Sequence, residues 1–390
     1  MSQNRKDPII QLFDLTRWRE IPFLIMKGFL MGSADIVPGV SGGTMALITG
    51  IYDRLIFAIK SFDHHALRYA LTLKIRKFFE KIHWRFFLFL GTGMVLAILF
   101  FTRIVPLQVY MFTHAELIYG LFFGLILGSI FVLIAEIDSE NRSWKHLLPL
   151  LAGTLFGFWV VTLVPADTPD TFWFVFLTGS ISISAMVLPG ISGSYILLIF
   201  RKYDYILSEL SLLGTSETLT ALLNLTPFIL GALTGLIIFS RVLSWLLKNV
   251  HSFTIMLLVG FLIGSLWVIW PYQVREYVET VRSVEQLELN DPVVQAILSG
   301  EEGITGKEYR RIRTNLSEDE LSEGVILVEV ETVSRQLISS KPYNPWSEDA
   351  TVMEEKKKRD GIVGGISGVF IIILIVFLRY RGSVSDSESD

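Results

Sequence analysis

Eight stretches of this chain run for 17 to 30 residues without a charged side chain: 36–52, 86–102, 117–135, 147–166, 171–200, 218–240, 252–274 and 361–378. A helix that crosses a bilayer needs about 20 apolar residues, within a range of about 17–25. Most of these runs fall in that window, whereas a soluble chain of 390 residues would break them with charge more often. Only 18% of the residues are charged, 51% are hydrophobic, and the mean hydropathy is +0.52. The expected fold class is therefore an all-α polytopic membrane protein. Cysteine is absent, which excludes disulfides, thiolate nucleophiles and zinc-thiolate sites together. Arg5, Lys6, Asp7, Asp14, Arg17, Arg19 and Glu20 precede the first apolar run, so no cleavable signal peptide is expected.

The apolar runs are not independent of each other. Val37-Pro38-Gly39-Val40-Ser41-Gly42-Gly43 aligns with Leu188-Pro189-Gly190-Ile191-Ser192-Gly193-Ser194 at an offset of 151. The same register pairs Ser33-Ala34 with Ser184-Ala185 and Tyr52-Asp53 with Tyr203-Asp204. Further along, Phe101-Thr102-Arg103 matches Phe239-Ser240-Arg241, and Gly124 and Gly128-Ser129 match Gly260 and Gly264-Ser265. An ordered set of matches with slowly drifting offsets means two related halves. The last span of the first half, 147–166, then corresponds to 361–378, and residues 275–360 form an insertion with no counterpart. That insertion is acidic and shows weak strand-like alternation at 325–330, so a small extramembrane domain is expected there.

Charge sets the expected topology, because Lys and Arg accumulate in cytoplasmic loops. Basic residues dominate both flanks of the first Pro-Gly motif: Arg5, Lys6, Arg17, Arg19 and Lys27 before it, and Arg54 to Arg85 after it. Both flanks thus read as cytoplasmic, and the motif reads as a re-entrant hairpin. A hairpin plus three spans gives an odd number of crossings, so the second half inserts upside down. The expected layout is a cytoplasmic segment at 1–20 and a first repeat at 21–166, with a hairpin at about 28–56 and spans 86–102, 117–135 and 147–166. The second repeat follows with a hairpin at 171–200 and spans 218–240 and 252–274. The insertion at 275–360 falls outside the membrane on the far side, ahead of a final span at 361–380 and a disordered polar tail at 381–390. Lys356-Lys357-Lys358-Arg359 runs against this count, since it abuts the final span on its outer side.

Non-helical backbone at membrane depth costs several kcal/mol per unsatisfied group unless protein or water satisfies it. This chain carries such a break twice. Pro38-Gly39 and Pro189-Gly190 end one half-helix each; Ser41, Gly42, Gly43 and Thr44, and Ser192, Gly193 and Ser194, open the next. Free amides and hydroxyls at a half-helix start suit an anion. Oppositely oriented broken helices that meet near the midplane are a layout of secondary transporters. The plainer reading is a pair of Gly/Pro kinks that help helices pack. Asp35, beside the first break, is either a coupling site for a proton or sodium ion or a cap for a half-helix. Glu116, at the start of a span, carries the same two readings. Arg103 and Arg241, at matched span ends, are candidates for phosphate contact or for anchoring at lipid headgroups.

The eighteen residues Lys27-Gly28-Phe29-Leu30-Met31-Gly32-Ser33-Ala34-Asp35-Ile36-Val37-Pro38-Gly39-Val40-Ser41-Gly42-Gly43-Thr44 resemble the signature of the prokaryotic polyprenyl-phosphate transporter family. The second motif fits the same pattern, and the resemblance covers about 20–275 plus the last span. It implies translocation of undecaprenyl phosphate, or a related polyprenyl phosphate, from the outer to the cytoplasmic leaflet of the cell membrane, which recycles a lipid carrier. No cofactor is expected beyond a coupling ion, and the expected partners are that lipid and the bilayer, not nucleic acid. Two other functions remain open at this level. An intramembrane lipid phosphatase would need a His nucleophile with Arg and acidic partners, and the six histidines form no such cluster. A small-anion permease or channel could use the same half-helix starts.

Overall fold

A computed structural model describes residues 16, 18–37, 40–105, 107, 110–111, 114, 115–136, 144–163, 168–299, 308–312, 327–346 and 352–387. The chain is mostly helical and divides into two compact units. The first comprises 1–99, 122–269 and 367–390; the second comprises 100–121 and 270–366. Among the described residues, five helices are long and apolar enough to cross a membrane, or six if the bent pair Gly42–Ile48 and Tyr52–Lys60 is one span.

The first unit opens with α1 (Ile21–Ile36), α2 (Gly42–Ile48) and α3 (Tyr52–Lys60). Later in the chain come α9 (Phe172–Val187), α10 (Gly193–Ile199) and α11 (Tyr203–Ser211), each displaced from its counterpart by the same 151 residues at both ends. The local bonds repeat with the lengths. The Val37 N–H donates to Ala34 O, and the Leu188 N–H to Ala185 O, both at 3.0 Å. Both helices stop where they do because the residue ahead of a proline is driven out of the helical region; Val37 and Leu188 are extended, with ψ of 119° and 134°.

Each short helix after the break also ends the same way. Ile51 N–H donates to Ala46 O and Gly50 N–H to Leu47 O, while Lys202 N–H donates to Leu197 O and Arg201 N–H to Leu198 O. This bond pair is the Schellman motif, which needs a left-handed residue just past the helix. Gly50 supplies it at φ 70°, and Arg201 supplies it at φ 50°.

Between these blocks lie α4 (His64–Leu71), α5 (Ile75–Lys81), α6 (Trp84–Arg103), α7 (Ala115–Glu136) and α8 (Leu147–Val161). Beyond them run α12 (Thr218–Asn249) and α13 (His251–Ser265). Helices in lipid gain little from apolar contact with each other, so close approach through small residues decides how they pair. A Cβ on Gly28 of α1 would lie 2.1 Å from Leu90 O, and one on Gly93 of α6 would lie 2.0 Å from Ile25 O. In the second half, Gly179 of α9 faces Phe228 O at 2.4 Å and Gly231 of α12 faces Phe176 O at 1.9 Å. These are the same two contacts, moved by 151 residues on one helix and 138 on the other.

The remaining membrane helices pair across the halves. Gly153 and Gly260 bring α8 and α13 together, against Leu257 O and Leu150 O. Gly128 of α7 lies against Ile372 of α15 (Val352–Ser387). The second full span of each half, α7 or α13, therefore joins the last helix of the other, a reciprocal exchange.

Within the second unit, Gly120 and Gly364 set the start of α7 against α15, facing Gly361 O and Leu117 O. The insertion in this unit is a three-stranded antiparallel sheet of order β1-β3-β2, formed by β1 (Gln273–Glu288), β2 (Glu308–Ile312) and β3 (Leu327–Pro342). Val281 pairs with Val333 and Leu287 with Val328, with register shifts at Glu276/Tyr277 and Val281/Ser283. α14 (Pro292–Ser299) covers one end, burying Val294 with Val328 and Val330. Arg311 pairs with the buried Glu331 at 2.9 Å.

Several expected boundaries change. The two helices around the first break run over 21–48 rather than 28–56, since Pro22 opens α1 early and Gly50 ends α2. The span expected at 252–274 is only the 15 residues of α13, and β1 begins at Gln273, where charged residues enter at Arg275 and recur as far as Glu288. The span 218–240 extends to Asn249. The final helix is longer at both ends than 361–380: its polar ends continue the helical hydrogen bonding, so 356–359 and the expected disordered tail up to Ser387 are helical.

Candidate functional site: the two Pro-Gly breaks

The chemistry of the breaks starts with the orphan amides at a helix start and the orphan carbonyls at a helix end. At the first break, Ser41 is extended (φ −121°, ψ 136°), and its Oγ accepts the Gly43 N–H at 3.1 Å. Asp35 Oδ1 accepts the Gly42 N–H at 2.6 Å. A Cβ on Gly42 would lie 2.6 Å from Asp35 Oδ2, so only glycine admits the carboxylate here. Two leading amides of α2 thus already hold an anion and a hydroxyl of the chain itself. The other oxygen, Asp35 Oδ2, is buried without a hydrogen-bond partner among the described residues.

The same motif also closes the end of α9. Ser41 Oγ lies 3.2 Å from both Met186 O and Leu188 O, to which it donates. Tyr52 OH donates to Val187 O at 3.1 Å. In the other direction, Gly190 N–H donates to Thr44 Oγ1 at 2.9 Å. Gly190 turns the chain at φ 82°, and a Cβ there would lie 2.9 Å from Phe261 O, so no other residue fits without strain. The first break thereby supplies the donors and acceptor that the second break lacks. The two motifs meet directly.

The second half-helix start is built differently. Among the described residues, no side chain caps α10. Ser192 Oγ and Ser194 Oγ lie 2.8 Å from each other, with Ser192 half-buried and Ser194 exposed. Gly193 sits against α9, where its absent Cβ would be 2.7 Å from Ser182 O. Thr178 and Ser182, one turn apart on α9 and 1% and 4% exposed, have hydroxyls without a hydrogen-bond partner among the described residues. Buried hydroxyls are normally satisfied. Uncommitted hydroxyls therefore gather beside the second break, while the first holds one uncommitted carboxylate oxygen, Asp35 Oδ2.

Of the residues expected at the site, Asp35, Ser41, Gly42, Gly43, Thr44, Pro189, Gly190, Ser192, Gly193 and Ser194 belong to these meeting segments. Pro38 and Gly39 lie outside the described residues. Arg241 stays on its own helix, with Nη1 donating to Ile237 O at 2.8 Å. Arg103 belongs to the second unit and is exposed at the end of α6. Glu116, in the same unit, is half-buried in the first turn of α7. Burial pushes the Tyr272 hydroxyl of that unit above its ordinary pKa, and Tyr343 and Glu116 add to the effect.

Three features were given no role at the site by the sequence. Tyr52 carried a signal, since Tyr203 repeats it. Thr178 and Ser182 are part of a run of hydroxyls that resembles ordinary interhelical glue. The third is Lys202, 2% exposed, whose Nζ meets Asp170 Oδ1 at 2.6 Å and Thr168 O at 2.9 Å. It ties the segment ahead of α9 to the turn that follows α10, and no lysine marks the matching position, Ile51.

Known proteins place these motifs in one family. A family model described as undecaprenyl phosphate translocase-like matches residues 31–287, a region that includes both breaks. A polyprenyl-phosphate transporter of Vibrio cholerae serotype O1 is 37% identical over 248 residues, covering 64% of this chain and 77% of that protein. A polyprenyl-phosphate transporter of Staphylococcus aureus is 30% identical over 262 residues, covering 63% of this chain and 85% of that protein. No solved structure matches the chain. The names are those of transporters rather than enzymes, and the family is the one that the motif at 27–44 resembles. With its several apolar helices and more than half of its length matched, this multi-pass membrane protein belongs to the undecaprenyl phosphate translocase-like family.

Proposed function

We propose that the protein is a secondary transporter that carries undecaprenyl phosphate, or a related polyprenyl phosphate, from the outer to the cytoplasmic leaflet of the cell membrane for reuse as a lipid carrier. The observation that carries this reading is the meeting of the two breaks, with Ser41 and Thr44 holding the backbone at 186–190 and the Ser192–Ser194 end left uncapped. The N-terminus lies in the cytoplasm, and the halves insert with opposite topology as re-entrant hairpins. The repeated helix bounds and the reciprocal pairing of the last helices support that arrangement.

The phosphate head binds at Ser192, Gly193 and Ser194, where two hydroxyls and unclaimed amides face one charge. The isoprenoid tail stays among the lipid chains, so only the head must exchange water for protein. Ser41, Gly42, Gly43 and Thr44 shape this cradle instead of donating to the ligand at the outset. Asp35 supplies the coupling. While ionised, it holds the Gly42 amide and repels a second anion. One proton on the carboxyl removes the repulsion and weakens that hold, so head and proton move together. Arg103, Arg241 and Glu116 are left with entrance or anchoring roles at the ends of their helices.

The test is purified protein in liposomes with a phosphate-headed polyprenyl lipid in one leaflet. Movement of the head to the other leaflet, lost in the Ser192→Ala/Ser194→Ala double variant, is the expected result. Chloride conductance without lipid movement would replace this reading with that of a small-anion permease.

A further inference from the structure

We infer that the α4–α5 segment is a docking surface for anionic lipid headgroups, inserted into the leaflet next to the first membrane helix. Residues 60–85 hold seven basic and two acidic side chains. Both acids are already engaged, Asp63 with Lys81 at 2.9 Å and Glu80 with Arg76 at 2.9 Å. Among the described residues, Arg68, Lys74 and Lys77 have no acidic partner, and all three are exposed. A surplus of positive charge at this density repels itself unless a negative surface lies opposite.

The apolar side chains decide which negative surface it is. The turn between the helices projects Leu71 at 76% exposure, Leu73 at 80% and Ile75 at 60%, with Phe79 and Trp84 exposed behind them. Leu73 holds φ 53°, a conformation that bulky residues rarely adopt, and it places the leucine at the tip. An open depression of about 500 Å³ is lined by Leu73, Lys74, Ile75, Arg76 and Lys77, alternating aliphatic and cationic side chains. Nucleic acid or an acidic protein would match the charge but leave the leucines in water. An anionic lipid matches both, with its phosphate against the cations and its acyl chain against Leu73 and Ile75. α6 begins three residues after α5 ends, which keeps the segment beside the bilayer.

The inference does not depend on what the protein transports, and its test reads position instead of transport. The chain lacks native cysteine, so a Leu73→Cys variant of the full protein takes a single environment-sensitive fluorophore. It is reconstituted in nanodiscs of phosphatidylcholine alone or with phosphatidylglycerol. The expected result is protection from aqueous iodide in the anionic discs, quenching by lipids brominated in the upper acyl chain, and loss of protection in high salt. Lys74→Ser and Lys77→Ser should each lower the ratio of protected to open fluorophore by about fivefold, since each unpaired cation near an anionic surface contributes about that factor. A fluorophore equally open to iodide in both kinds of disc overturns the inference. Equal protection in both discs, unaffected by salt or by the serine variants, also overturns it, because the apolar tip would then act without lipid charge. A Gly91→Cys label on α6 checks that every variant is folded and inserted.

Discussion

The Gly190 N–H donates to Thr44 Oγ1 at 2.9 Å across 146 positions of sequence, between two motifs that are copies of one another. Thr44 is fully buried, so no water can substitute for it. Thr44→Val keeps the shape and removes the acceptor. An unpaired buried amide costs about 1–3 kcal/mol, and the thermal midpoint in detergent should fall accordingly. Thr44→Ser should recover most of the loss; if both variants match the parent, the bond carries no stability.

Asp35→Asn keeps an oxygen for the Gly42 N–H but cannot titrate. The expected outcome is a folded protein whose lipid movement no longer responds to a proton gradient. Asp35→Ala should lose the cap as well, at about 1 kcal/mol. Gradient-dependent transport by the Asn variant would move the coupling group elsewhere.

Close helix contact supplies an internal comparison on α6. A Cβ at Gly93 would lie 2.0 Å from Ile25 O, whereas one at Gly91 meets nothing within 4 Å. Gly93→Ala should destabilise by about 1–3 kcal/mol as α1 is forced away. Gly91→Ala should be neutral or stabilising by up to about 1 kcal/mol through helix propensity. Thermal unfolding of the pair in one detergent separates the two effects.

Lys202 and Asp170 are unequally buried, with side-chain exposures of 2% and 64%. Removing the carboxylate leaves a buried cation short of a partner, while replacing the lysine leaves an exposed carboxylate that water can solvate. Asp170→Asn should therefore cost more stability than Lys202→Met, by about 1–3 kcal/mol. Equal costs in a denaturation series would mean that Lys202 is solvated.

Arg201 occupies a left-handed position at φ 50°, where its counterpart is Gly50 at φ 70°. Arg201→Gly relieves backbone strain of about 1 kcal/mol and should leave the midpoint unchanged or raised. A large loss of stability would show that the guanidinium does more for the fold than its backbone costs.

The sequence alone carried the membrane class, because hydrocarbon thickness imposes a run length that composition reveals directly. It also carried the repeat, since a proline ends a helix and a glycine turns a chain by local sterics; hence α1 to α3 and α9 to α11 share their bounds. Those same local rules made the two breaks look equivalent. Only the tertiary structure separated them, because a hydroxyl serves whichever carbonyl or amide lies within reach. Ser41 and Thr44 reach the backbone of the second break, while Ser192 and Ser194 reach one another. Asp35 illustrates the same limit: its position in the chain allowed a cap or a coupling group, and only the fold shows its Oδ1 accepting the Gly42 N–H at 2.6 Å while Oδ2 is buried without a partner among the described residues. Beyond the weak alternation at 325–330, the strands at 273–288 and 327–342 also needed the fold, since a sheet is held by bonds to a partner some fifty residues away.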